Sequence, residues 1–166
     1  MAKAFLDLSG PQRELRDLAA ALRKQENGKD LRKELVSELR SAAGPVRNDA
    51  RAEIKSMPSR GTRKGGRSLR SAIAQKITVQ AKTTGAAVGV RIIAGQTPNV
   101  RGFTNAARNT NMGSWRHPIF GDRNRWVTQS GHKGWFYRAM RRAASPARAG
   151  VRDAMNKIAE QIARDV

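Results

Sequence analysis

The sequence has no cysteine, so it offers neither disulfides nor thiolate metal ligands. That lack fits a chain made in a reducing cytoplasm. Aromatic residues are scarce at 5%, and hydrophobic residues total 39%. A chain of 166 residues is long enough for one domain with a real core, but so lean an apolar content predicts a modest core with parts that depend on partners. No apolar run approaches the roughly eighteen residues that a membrane helix needs, and the opening MAKAFLDLSG lacks the apolar stretch of a secretory leader. Histidine is limited to His117 and His132. Acidic residues nearly vanish from the middle of the chain: residues 58–143 hold 17 Lys and Arg but one acid, Asp122.

Positive charge is what the sequence has in abundance, with 33 Lys and Arg against 13 Asp and Glu, a formal net of +20. Residues 1–57 carry 12 basic and 9 acidic side chains, and residues 144–166 carry 4 and 3. The two ends therefore read as mixed-charge helical surfaces, and the middle reads as a cationic block that repels itself in isolation. Such a block calls for a polyanion or for acidic neighbours in an assembly. Nucleic acid comes first, because phosphate contact is the commonest reason for it. A soluble face that is merely basic is the blander alternative.

The periodicities predict an α+β fold: amphipathic helices packed on a small antiparallel sheet that contains a β-hairpin, with a long irregular arm. Ser9-Gly10-Pro11 reads as a helix start, Leu15, Leu18 and Leu22 fall on one stripe, and Asn27-Gly28 ends it. Asp30 is placed to cap the next helix. Its apolar face runs from Leu31 through Leu35, Leu39, Val46, Ala50 and Ile54 to Met57, with a kink expected at Gly44-Pro45 and an end at Pro58. Residues 59–67 form a basic glycine-rich loop. Residues 68–73 make a single helical turn or lead straight into a strand. Ile77, Val79 and Ala81, then Val88, Val90 and Ile92, alternate with smaller or polar residues around Thr83-Thr84-Gly85, the pattern of an antiparallel hairpin. Residues 94–134 show no sustained period. They either hold short strands near 115–120 and 125–128 or form an arm ordered by partners. Trp135 to Arg142 reads as helical or pre-helical, Ala144-Ser145-Pro146 as a break and restart, and Val151, Met155, Ile158 and Ile162 as the stripe of a last helix. The whole chain, 1–166, is expected to be one domain with basic loop 59–67 and extended arm 94–134.

Catalytic sets are wanting. His117, Asp122 and His132 supply too few ligands for zinc, and two-metal phosphoryl chemistry needs several convergent carboxylates. No metal, no cofactor and no enzyme activity are expected. GTRKGG at 61–66 offers backbone N–H groups to phosphates, but no GK[ST] follows it, so it reads as a basic loop or a surface linker, not as a nucleotide pocket. Trp115, Trp126 and Trp135 alternate with Arg116, Arg123, Arg125 and Lys133. Aromatics among arginines stack on single-stranded bases, and the same residue types anchor subunit interfaces. The second reading is preferred.

A resemblance adds to this. Pro58, Gly66, Leu69, Arg70, Ser71 and Ile73 are arranged much like a "P…TG.LR.SI" motif ahead of a first strand, and Phe136 and Ala139 like a "P.F…A" motif opening a last helix. From about Leu31 onward the order of elements resembles the neck proteins of long-tailed phages, the head–tail joining, tail-completion or minor tail-component family. WRHPIFGDRNRWVTQ, residues 115–129, is similar to the form found in phages of actinobacteria. The chain departs from the family in lacking an acidic "EfGT" segment after the hairpin and in its longer basic loop. The resemblance implies a structural virion protein of the neck or tail of a siphovirus, made in the host bacterial cytoplasm and without catalysis. It would form a homo-oligomeric ring of six-fold, alternatively twelve-fold, symmetry. Its neighbours would be head-connector and tail-terminator or tail-tube proteins, with non-specific contact to packaged double-stranded DNA and no membrane. On this reading Arg60, Arg63, Lys64, Arg67 and Arg70 face DNA, and Trp115, Phe120, Trp126 and Trp135 are the buried anchors of subunit interfaces. The alternative is a basic nucleic-acid-binding protein of ribosomal or nucleoid type.

Overall fold

A computed structural model describes residues 5–7, 12–58, 68–85, 88–97, 104–119 and 122–164. The basic loop 59–67, with Arg60, Arg63, Lys64 and Arg67, lies outside the described residues, as does Phe120. In chain order the elements are β1 (Phe5–Asp7), α1 (Gln12–Ala21), a short 3-10 turn (Leu22–Lys24), α2 (Gly28–Ala42) and α3 (Gly44–Ser56). Then come α4 (Leu69–Gln75), β2 (Ile77–Lys82), β3 (Gly89–Ala94), α5 (Ala106–Met112), β4 (Trp115–Ile119), β5 (Asp122–Gln129) and α6 (Trp135–Arg164). The class is α+β, as the two periodicities predict.

The main sheet is antiparallel with order β1-β3-β2. The expected hairpin is β2 and β3, in the register Ile77↔Ala94, Val79↔Ile92 and Ala81↔Val90. Residues directly opposite share a face, so one side of the sheet collects Ile77, Val90, Ile92 and Ala94 in the core, with Val79 and Ala81 packed beside them. The third strand, β1, pairs with β3 through Leu6↔Ile92. Three residues are too few to show a period, and the sequence reading made no strand there.

Helices cover that apolar side. Leu35, Leu39, Val46, Ala50 and Ile54 are fully buried on α2 and α3, and α6 lays Phe136, Met140, Val151 and Ile158 against them. Arg51 ties the helical layer to the sheet: its Nε and Nη2 both donate to the carbonyl of Ile77, at 3.2 and 2.8 Å. Where α6 passes α2, a Cβ on Gly150 would stand 3.1 Å from the Ala42 Cβ, so small residues allow the two helices to approach there.

Four local expectations change. Residues 28–57 form two helices that meet at Ala43 (φ −86°, ψ −5°) instead of one kinked helix. Pro45 has no N–H to give to Ser41, so the ladder is broken there. Gly28 opens α2 instead of ending α1, since a Cβ on it would strike the Leu22 carbonyl oxygen. Asp30 is not a cap: Asn27 holds the N-cap position, and Asp30 sits exposed in the first turn, 2.8 Å from Lys33 Nζ. Residues 69–75 form a true helix, because Ser68 caps it by accepting the Ser71 N–H at 3.1 Å.

The largest change is at Pro146. Helix α6 runs unbroken for 30 residues with Pro146 inside it. A helix-interior proline costs about 3 kcal/mol in isolation. Here Ala144, Ala147 and Val151 are buried on either side of it against α2 and α3, and the lost bond falls on the carbonyl of Arg142, an exposed residue. Tertiary packing outweighs the local penalty. No helix among the described residues is long and apolar enough to cross a membrane.

Candidate interaction surface

The aperiodic stretch 94–134 contains a helix and a two-stranded ribbon, so of the two expectations the one with short strands matches the structure. Strands β4 and β5 pair antiparallel in the register Trp115↔Gln129, Arg116↔Thr128, His117↔Val127 and Pro118↔Trp126, with an irregularity between Pro118 and Ile119. The ribbon makes its main contact with the rest of the chain through α5. Gly131, just after the ribbon, passes over the end of that helix. A Cβ there would collide with the Thr110 carbonyl oxygen and stand 2.6 Å from the Gly113 carbonyl oxygen. Asn111 then fixes the start of α6: its carbonyl accepts the Gly134 N–H at 2.8 Å, and its Oδ1 accepts the Phe136 N–H at 3.1 Å. The side-chain oxygen thus serves one of the N–H groups that the first turn of α6 leaves without an intrahelical partner.

The two faces of the ribbon differ. Trp115, His117, Val127 and Gln129 share one face and are half-buried. Arg116, Trp126 and Thr128 share the other and are exposed. Trp126 is 48% exposed and lies diagonally across from Arg116, whose guanidinium sits 5.9 Å from the ring centroid. Its indole Nε1 donates to the Arg123 carbonyl at 2.6 Å, which holds the ring against its own strand. A cation and an aromatic are thus preset on an open face.

The expected anchor residues separate. Trp126 is on the open face and Trp115 is half-buried on the other, with its indole Nε1 buried and unpartnered. Trp135 is corrected: it is 0% exposed, in edge-to-face contact with Phe136 at 5.4 Å, and belongs to the core of the chain itself, leaving no surface for a neighbour. Arg70 sits on α4 and is half-buried, with Nη1 unpartnered. Burial holds its guanidinium below the ordinary arginine range.

The residues considered for catalysis have local duties. Asp122 is exposed and accepts the Asn124 N–H at 2.9 Å, a local bond at the start of β5. His117 Nδ1 lies 2.9 Å from the Pro118 carbonyl, so that nitrogen carries the proton. His132 is exposed, and its carbonyl accepts the Trp135 N–H at 3.1 Å. Among the described residues no three His, Cys, Asp or Glu side chains gather as a metal site would require.

Met112 and Tyr137 carry no signal in the sequence that marks them as exposed. The exposed large hydrophobics among the described residues are Met112 at 62%, Trp126 at 48% and Tyr137 at 46%. They fall at the end of α5, on the ribbon and at the start of α6, three elements that are joined in sequence and in contact through α5. Exposed Arg108, Arg116, Arg123, Arg125, Lys133, Arg138, Arg141 and Arg142 lie on these same elements and the segment that joins them. The chain matches no family model, no curated protein and no solved structure.

Proposed function

We propose that this chain is a structural subunit of a phage neck, which assembles into a ring between head connector and tail around the path of the DNA. The observation that carries the reading is the β4–β5 ribbon with its Arg116/Trp126 face open. An isolated two-stranded ribbon is marginal in water, and an exposed tryptophan beside an arginine is the composition of an interface anchor. A neighbouring subunit that covers this face would complete the ribbon and bury Trp126. Contacts of that kind, from one surface to a different surface on the next copy, close into rings by rotation. The motif positions agree with the reading: Ser68 to Ile73 form the cap and helix that lead into β2, and Phe136 and Ala139 lie on the first turns of α6. The placement in a virion rests on the resemblance of those motifs to the neck family.

The test is Trp126→Ala, read by light scattering and circular dichroism. The monomer should lose about 1 to 2 kcal/mol, from one exposed cation–π contact and one indole hydrogen bond, and stay folded. Assembly should fail. A variant that forms the same ring as the wild type sinks the role given to the ribbon.

The alternative, a basic nucleic-acid-binding protein of ribosomal or nucleoid type, draws on the charge of +20. It requires tight, salt-sensitive binding of nucleic acid by the monomer.

A further inference from the structure

We propose that the N-terminal half of α6 is a phosphate-binding face for double-stranded nucleic acid, carried by Arg138, Arg141, Arg142, Arg148 and Arg152. All five are exposed. At 100° per residue they fall within an arc of about 120°, opposite the stripe of Phe136, Met140, Ala144, Ala147 and Val151 that enters the core. Arg138 and Arg152 are separated by about 21 Å along the axis at 1.5 Å per residue. That length of duplex carries about twelve phosphate charges, so a row of five guanidiniums meets more anions than it has cations.

Three observations on the same helix support this. First, the chain leaves these charges uncompensated: none of the five has a carboxylate within salt-bridge distance among the described residues. The C-terminal half of α6 behaves differently, since Lys157 pairs with Glu34 and Glu38 of α2 at 3.0 and 2.7 Å. Second, every cation in the stripe is arginine, whose planar fork binds phosphate oxygens in pairs. Third, the positions between them on the exposed arc are Ser145 and Ala149, with Pro146 beside it and no large apolar residue after Tyr137. The centre of a protein–protein interface is depleted of charge and built on apolar anchors. A face of arginines separated by small residues suits a polyphosphate backbone better than an acidic protein, and it contacts backbone without reading sequence.

This face is carried by α6 and not by the ribbon, and the inference does not rest on ring assembly. A monomer that bound duplex through α6 would fail the ring test and pass the one that follows.

The experiment is fluorescence anisotropy of the full chain with a random duplex of about 30 base pairs, across a series of NaCl concentrations. Five substitutions, R138Q, R141Q, R142Q, R148Q and R152Q, remove the face. A control of equal charge loss, R13Q, R16Q, R23Q, R40Q and K55Q, removes exposed cations from α1, the 3-10 turn, α2 and α3. Glutamine is a good helix former, and the milder pair R141Q and R148Q covers the case in which the fivefold variant does not fold by circular dichroism. Each phosphate contact adds about 0.9 to the slope of log K against log salt. The fivefold α6 variant should lower the slope by about 4 to 5, the pair by about 2, and the control by less than about 1. Equal losses for α6 variant and control, or an unchanged slope in the α6 variants, overturn the proposal. So does displacement of the duplex by polyglutamate as readily as by unlabelled duplex, which would assign the face to an acidic protein.

Discussion

Trp135 and Trp126 stand nine residues apart in sequence and do opposite work, which makes them the sharpest test of the structure. Trp135 is wholly buried, packed edge-to-face on Phe136 at the start of α6. Trp135→Ala would leave a void that the long helix cannot close, because Phe136, Ala139 and Met140 are held by the same layer. Large aromatic to alanine changes in cores cost about 3 to 5 kcal/mol, a large part of the whole stability of a domain this size. The indole Nε1 of Trp135 is buried without a partner, so Trp135→Phe removes an unsatisfied donor along with some volume and should cost far less, about 1 kcal/mol. Trp126→Ala should cost about 1 to 2 kcal/mol in the monomer. The assay is urea unfolding followed by far-ultraviolet circular dichroism, since the substitutions change the fluorophores themselves. Equal losses for Trp135→Ala and Trp126→Ala, or a loss below about 1 kcal/mol for Trp135→Ala, would refute the assignment of Trp135 to the core.

Gly131→Ala should loosen the ribbon from α5, because its Cβ meets backbone oxygens that cannot move aside. A loss of about 2 kcal/mol or more is expected, whereas Gly44→Ala, with no atom within 4 Å of its Cβ, should be neutral or slightly stabilising. Equal urea midpoints for the two variants would contradict the packing. Lys157→Gln tests the link between α6 and α2 by its pH dependence. Hydrogen bonds from Lys157 and Gln161 hold the Glu34 carboxyl below its ordinary 4.5, so its contribution is present above that value and lost as pH falls through the lowered one. Hydrogen bonds to Glu38 and Glu34 hold the Lys157 ammonium above its ordinary 10.5, so its contribution is complete below that value and lost as pH rises through the raised one. The deficit of the variant should therefore be flat between about pH 5 and 10, close toward acid, and shrink in high salt. A deficit that widens toward pH 3 would contradict the assignment.

The parts of this fold that were legible are those where burial imposes a period. Leu35, Leu39, Ala50 and Ile54 repeat every three or four residues because one side of each helix is in the core. Val90 and Ile92 alternate with Gly89 and Arg91 because the sheet is covered on one side. The ribbon was harder to see. Its strand β5 is exposed at Asp122, Arg123, Asn124, Arg125 and Trp126, so no alternation of apolar and polar residues marks it. The arginine face of α6 was hidden by a local rule. Pro146 reads as a break, and cutting the helix there puts Arg138, Arg141 and Arg142 on one element and Arg148 and Arg152 on another. Only the packing of Ala144, Ala147 and Val151, which carries the helix through the proline, joins them. The signal that would have found the face is the absence of any acid from Trp135 to Arg152 combined with arginines at helical spacing. Trp135 was misplaced for a related reason. Composition groups the three tryptophans, but Gly134, with φ +72°, turns the chain between the arm and the helix and sends Trp135 inward.

The central claim is that this chain assembles with itself through the open face of the ribbon. Its most direct test is the mass of the purified protein in solution, measured by light scattering over a range of concentrations, for the wild type and for Trp126→Ala. The account predicts a closed multi-subunit mass for the wild type and a folded monomer for the variant. A wild type that stays monomeric at every concentration, or a variant that assembles as the wild type does, would contradict it.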